Sequence, residues 1–148
     1  MERLESNKVK DFVLGGNALI TIESGITGKH FTYKIQQSKT DTNLYFIKNL
    51  RGSDNENDYV YVGCYFSDNK TFVPEKSYKD KAVYSWPKSI QAIRYLMNTL
   101  DNVPEKLLVY HNGRCCKCGR ILTTPESIRR GIGPECERRA DNEQRNTD

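Results

Sequence analysis

The sequence predicts an α+β fold: an antiparallel sheet packed by one main helix and followed by a small cysteine-rich lobe. Three observations carry that prediction. Several strand-like segments precede residue 74, one of them alternating with period two, one stretch from Ser89 to Asp101 has helical period, and four of the five cysteines fall within 22 residues. At 148 residues the chain suffices for one core with a small appendage. We place the sheet and helix in 1–103, the cysteine lobe in 104–140 and a polar tail in 141–148.

The strands are justified in order. Residues 17–24 are rich in β-branched side chains and are bounded by Gly15, Gly16 and Gly25. In 29–36, His30, Thr32, Lys34 and Gln36 alternate with Phe31, Tyr33 and Ile35, the pattern of a half-buried strand that leaves His30 on the surface. Residues 43–48 and 58–66 add two more, separated by turn formers and charge from Arg51 to Asn57, and 70–73 add a short fifth before Pro74. Within the fourth, Cys64 reads as a buried small hydrophobe. The result is an antiparallel meander.

The helix rests on Ile90, Ile93, Leu96, Met97 and Leu100, one stripe of a 3.6-residue period. Ser85 or Ser89 is placed to cap it, Pro87 suits a first turn, and Asn102 with Pro104 closes it. Residues 106–110 then read as a strand leading into the cysteines. The ends, 1–10 and 140–148, are polar and are expected to fray.

Composition excludes some classes. Lys plus Arg is 23 and Asp plus Glu 19, a net +4 that is compatible with nucleic acid without requiring it. No window reaches the roughly 18 apolar residues of a membrane span. The first residues lack a basic segment leading into an apolar one, so a cytoplasmic location is expected. In a reducing compartment, clustered cysteines favour metal or redox chemistry over disulfides.

Spacing favours metal. Cys115 and Cys118 form a C-x2-C pair ending in Gly119, a turn that aims two thiolates at one ion while glycine takes positive φ. Seventeen residues separate Cys118 from Cys136, a zinc-ribbon spacing without a second C-x2-C pair. His111, four residues before Cys115, supplies a fourth ligand, with Cys116 as its competitor. A short helix from Thr124 to Gly131 and another opening at Pro134 would set Cys136 in a first turn, where the helix dipole favours thiolate. A thioredoxin-like redox site lacks its βαβ context here.

From Tyr110 to Ser127 the chain reads Y-H-N-G-R-C-C-K-C-G-R-I-L-T-T-P-E-S, and from Gly131 to Cys136 it reads G-I-G-P-E-C. This resembles a family of short bacteriophage and prophage proteins grouped as a domain of unknown function; residues 28–33 and 55–63 are also similar to that family's amino-terminal region. The resemblance implies one structural Zn2+ held by His111, Cys115, Cys118 and Cys136, with Cys116 in a variable slot. It also implies an infected or lysogenic bacterial host. Some phage zinc proteins of this size look like inhibitors of host CRISPR nucleases, so the leading expectation is a non-catalytic anti-CRISPR protein that binds a Cas9-type nuclease or related nucleoprotein.

The alternative is a nucleic-acid-binding zinc module. Residues 106–130 hold six basic residues, including Arg114, Lys117, Arg120, Arg129 and Arg130, against Glu126 alone, and Tyr110 could stack a base. A third reading, a zinc hydrolase with Glu135 as base, is disfavoured by a thiolate-rich, closed ligand set and by the lack of a nucleophile elbow, phosphate loop or HExxH. No membrane partner is expected. Monomer and homodimer both stay open, because Tyr59, Tyr61 and Tyr65 crowd one small core.

Overall fold

The computed structural model describes residues 1–54, 56–122, 125–133 and 136–138. Its centre is a seven-stranded sheet in which every pairing is antiparallel, in the order β1-β7-β2-β3-β4-β5-β6. The strands are β1 (Glu2–Arg3), β2 (Asn17–Ser24), β3 (His30–Gln37), β4 (Leu44–Leu50), β5 (Tyr59–Phe66), β6 (Thr71–Pro74) and β7 (Leu107–His111). β2 to β6 form the expected meander. β7 returns from the far end of the chain and inserts between β1 and β2, so the strand leading into the cysteine lobe is itself a member of the main sheet.

Alternation puts Ala18, Ile20, Ile22, Tyr33, Ile35, Tyr45, Ile47 and Val109 on one buried face. Helix α2 (Lys88–Asn98) contributes Ile90, Ile93, Leu96 and Met97 to the same core. Tyr33 fixes the two layers together by donating its hydroxyl proton to the Ser89 carbonyl, and its burial pushes its pKa upward. Neither Ser85 nor Ser89 caps α2: Pro87 holds the cap position without a side-chain bond, and Ser85 donates instead to Ala82 within a 3-10 turn. The helix closes at Thr99, three residues before Asn102, although Leu100 stays buried.

Two expectations are corrected. The N-terminal residues are ordered: β1 pairs with β7, and α1 (Ser6–Val13) buries Val9, Phe12 and Val13 at i, i+3 and i+4 before stopping at Gly15 and Gly16. Cys64 is half-buried, because a bulge opposite Ile47 and Lys48 inserts Val62 and turns Val62, Gly63 and Tyr65 inward. Cys64 then shares the other face with its partner Phe46, while Tyr61 is 40% exposed.

Asp101, just beyond α2, takes Lys10 of α1 and Lys70 of the β5–β6 turn. Hydrogen bonds from Lys10 and then Lys70 hold its carboxyl at about 2. A carboxylate depressed on folding stabilises the native state above its ordinary value of 3.8 and ceases to do so as pH falls through the folded value. Asp101→Asn is therefore expected to lower stability by a constant, small amount at neutral pH, with the gap from wild type closing between about pH 4 and pH 2, as read by acid titration of the two proteins.

Candidate metal centre

β7 ends at His111 and the chain turns through Gly113, whose φ is +77°. It then forms a small hairpin. Arg114 bridges Ile121, Cys115 N–H donates to the Arg120 carbonyl at 2.8 Å, and Leu122 N–H donates to Gly113 at 2.7 Å. The tip is the Cys115–Cys118 turn, closed by Gly119 N–H on the Cys115 carbonyl, and Gly119 adopts φ +77° as its place in the knuckle requires. Helix α3 (Pro125–Arg130) follows and stops at Gly131, with φ +73°. Glu137 N–H donates to the Gly133 carbonyl, so Cys136 sits in the first turn of the next helical segment. Thr123, Thr124, Pro134 and Glu135, named above as caps, turn residues or base, lie outside the described residues, as does the 141–148 tail.

This arrangement brings the sulfurs of Cys115, Cys118 and Cys136 within 4.8 Å of one another. Cys115 and Cys136 are buried and Cys118 is exposed. Cys115 Sγ accepts N–H bonds from Lys117 at 3.4 Å and Gly133 at 3.3 Å. Burial by itself would raise this thiol, but backbone N–H groups of Cys118, Gly133 and Lys117 outweigh it and bring it down to about 7. Cys136 goes the other way, to about 11, through burial and the neighbouring sulfurs of Cys118 and Cys115. One anionic sulfur thus raises the cost of a second. A bound cation reverses that logic by drawing all three to thiolate, so the donor set fits a thiophilic metal ion.

His111 is not brought into the sulfur group. It shares the inward face of β7 with Val109 and is fully buried, its ring 5.2 Å from Phe12 of α1. Nδ1 accepts from Gly113 N–H at 3.1 Å, and Nε2 is buried with no hydrogen bond among the described residues. Burial lowers its pKa.

Cys116 faces away from the sulfur group. Its side chain packs where a Cβ on Gly15 would come to 2.6 Å, its carbonyl accepts from Asn17 N–H at 2.7 Å, and its N–H donates to Gly131 at 2.8 Å. Burial, reinforced by the charge of Cys115, raises its thiol to about 12. Adjacent cysteines thus divide the work: one joins the sulfur group and the other ties the lobe to the α1–β2 turn. Phe12 completes this seam, since a Cβ on Gly131 would overlap its ring. Sequence reasoning missed Phe12, Gly15 and the Cys116 role; the i, i+3, i+4 stripe of α1 was the available signal.

Of the basic residues, Lys117, Arg120, Arg129 and Arg130 are exposed and Arg114 is half-buried. Arg130 is engaged by Glu126, 2.7 Å away, and by both carboxylate oxygens of Glu137 at 2.7 and 2.8 Å. Arg114 donates to the Gly119 carbonyl at 3.3 Å. The described residues contain no helix long and apolar enough to cross a membrane.

No curated protein and no solved structure matches the chain. The segment that carries the end of β7, the knuckle, α3 and Cys136, residues 109–141, matches the model of a family of unknown function, DUF6011.

Proposed function

We propose that the protein is a non-catalytic binding module whose C-terminal lobe is stapled by one structural zinc ion, and that it acts by occupying a nucleoprotein. A host Cas9-type nuclease is the target that the resemblance suggests. The observation that carries the metal part is the convergence of three cysteine sulfurs within 4.8 Å on a knuckle whose backbone N–H groups stabilise thiolate. Zinc supplies no redox or acid–base step in this reading. It fixes a segment whose own apolar cluster, among the described residues, is Cys115, Leu122 and Cys136, with Ile128 and Ile132 against it. Cys115, Cys118 and Cys136 would hold the ion and leave one tetrahedral position to a group outside the triad, the place that sequence spacing gives to His111.

Elemental analysis of the purified protein tests this. The expected result is about one zinc per chain, the stoichiometry of a structural site. Its absence, with reversible Cys115–Cys118 oxidation in its place, would sink the reading. His111→Gln settles the fourth position: zinc lost in that variant returns His111 to the ligand set, and zinc retained with a lower melting temperature gives it a packing role against Phe12.

A further inference from the structure

The face of the sheet opposite the core carries a polar groove. Its floor is the β2–β3 ladder, where Asn17 pairs with Gln36, Leu19 with Lys34 and Thr21 with Thr32. One wall is the cysteine knuckle, through Arg114 and Gly119; the other is the β4–β5 connection, through Glu56 and Tyr59. Two open hollows of about 260 and 520 Å³ share Leu19, Glu56 and Arg114 and so form one trough.

The chemistry of this trough is specific. Lys34 from the floor and Arg114 from the knuckle wall supply two cations, against the carboxylate of Glu56 among the lining residues. Lys34 Nζ lies 4.1 Å from the centre of the Tyr59 ring and donates to the Glu56 carbonyl at 3.1 Å. Asn17 and Gln36 offer amides, and Thr21 and Thr32 bond to each other at 2.8 Å. Tyr110 continues the same face on β7, opposite Thr21. Cations, amide edges and an aromatic ring along an open, extended trough match a chain that is anionic, has hydrogen-bonding edges and carries flat rings. An acidic peptide would use the cations and, through its backbone, the amides, but would bring no base to stack on the ring.

We infer that the trough between the cysteine knuckle and the β4–β5 connection binds single-stranded nucleic acid. This rests on the binding-module reading above and names the ligand that the module would grip. Phosphates would lie toward Arg114 and Lys34, with a base against Tyr59.

The test is fluorescence anisotropy of short labelled single-stranded DNA and RNA oligonucleotides against the purified full chain at stepped salt, with a duplex as comparison. With two to four phosphates neutralised, the slope of log affinity on log salt should lie between about −1.4 and −3. Lys34→Gln and Arg114→Gln should each weaken binding by about 3- to 10-fold, and Tyr59→Ser by at least as much, the worth of one stacked base. Lys79→Gln, just beyond the edge strand β6, should change nothing. Melting temperatures of all variants confirm folding, and Arg114→Lys should restore part of the affinity if charge is what matters.

Binding that ignores Lys34 and Arg114 but falls with Arg129→Gln would overturn the inference by moving the strand elsewhere. No binding at low salt would overturn it too, and capture of a purified Cas nuclease that is lost in Lys34→Gln and Arg114→Gln would give the face to a protein. Zinc content of each sample separates the two readings. Absent binding in zinc-loaded protein ends this inference and leaves the stapled lobe standing; groove-dependent binding by zinc-free protein supports the groove and ends the zinc reading.

Discussion

Cys136→Ser is expected to release the metal and unfold the C-terminal lobe while the sheet survives. Cys136 is the one sulfur of the triad that comes from outside the knuckle, so its loss leaves two thiolates on a hairpin and nothing to hold the next helical segment to them. Structural zinc in small sites contributes on the order of 10 kcal/mol of apparent binding energy, and two remaining thiolates retain only a fraction of it. The lobe's small apolar cluster cannot make up the difference. Competition with a chromogenic chelator should show affinity falling by at least about 100-fold, a conservative share of that energy. Protease should then cut near residue 120 at rates that leave β2–β6 intact. Cys116→Ala is the contrasting case. Its side chain faces Gly15, so zinc should stay bound while the melting temperature falls. Equal zinc loss in both variants would mean that Cys116 is a ligand.

Phe12→Ala is expected to be strongly destabilising, and to reach the metal site from outside the lobe. The ring sits between His111 at the end of β7 and Gly131 at the end of α3, so it closes the interface among α1, the sheet and the lobe. Truncating a buried phenylalanine costs about 3–5 kcal/mol through lost transfer energy and the cavity left behind. Urea unfolding reads that loss directly. The more specific expectation is coupled: chelator competition should show zinc held more weakly than in wild type, because Gly131 also accepts the Cys116 N–H that anchors the knuckle. A full stability loss with unchanged zinc affinity would show that the lobe is anchored without Phe12.

Much of this architecture was legible from residue order, for identifiable reasons. Strand 29–36 alternates because one face of the sheet is core and the other is not, 17–24, 43–48 and 58–66 stand out as β-branched and aromatic runs between turn formers, and the observed strands differ by a residue or two. The Ser89–Asp101 stripe marks α2 because five apolar residues repeat on one side. The C-x2-C pair with Gly119 and the distant Cys136 identify the sulfur group, since thiolate spacing and a positive-φ glycine are local requirements.

What stayed hidden depends on distant contacts. α1 has only three buried positions among lysines and acids, so its composition resembles a tail until β7 gives β1 a partner. The bulge at Val62 has no local mark and reverses the facing of Cys64. His111 carries two signals at once: four residues before a cysteine suits a ligand, and strand alternation with Val109 sets its ring beside Phe12 while its buried Nε2 has no hydrogen bond among the described residues.

The insertion of β7 between β1 and β2 also has a consequence for synthesis. A ribosome delivers β2 to β6 first, and that meander can zip as it emerges, because each strand pairs with its immediate predecessor. Until residues 107–111 leave the exit tunnel, the backbone of β2 is an open edge beside Ala18, Ile20 and Ile22, the kind of surface on which nascent chains stick to one another. The chain therefore completes its sheet only when the segment leading into the cysteine knuckle arrives. A stalled or truncated product ending before Leu107 would emerge with the edge of β2 unguarded and would be a substrate for chaperones or proteases.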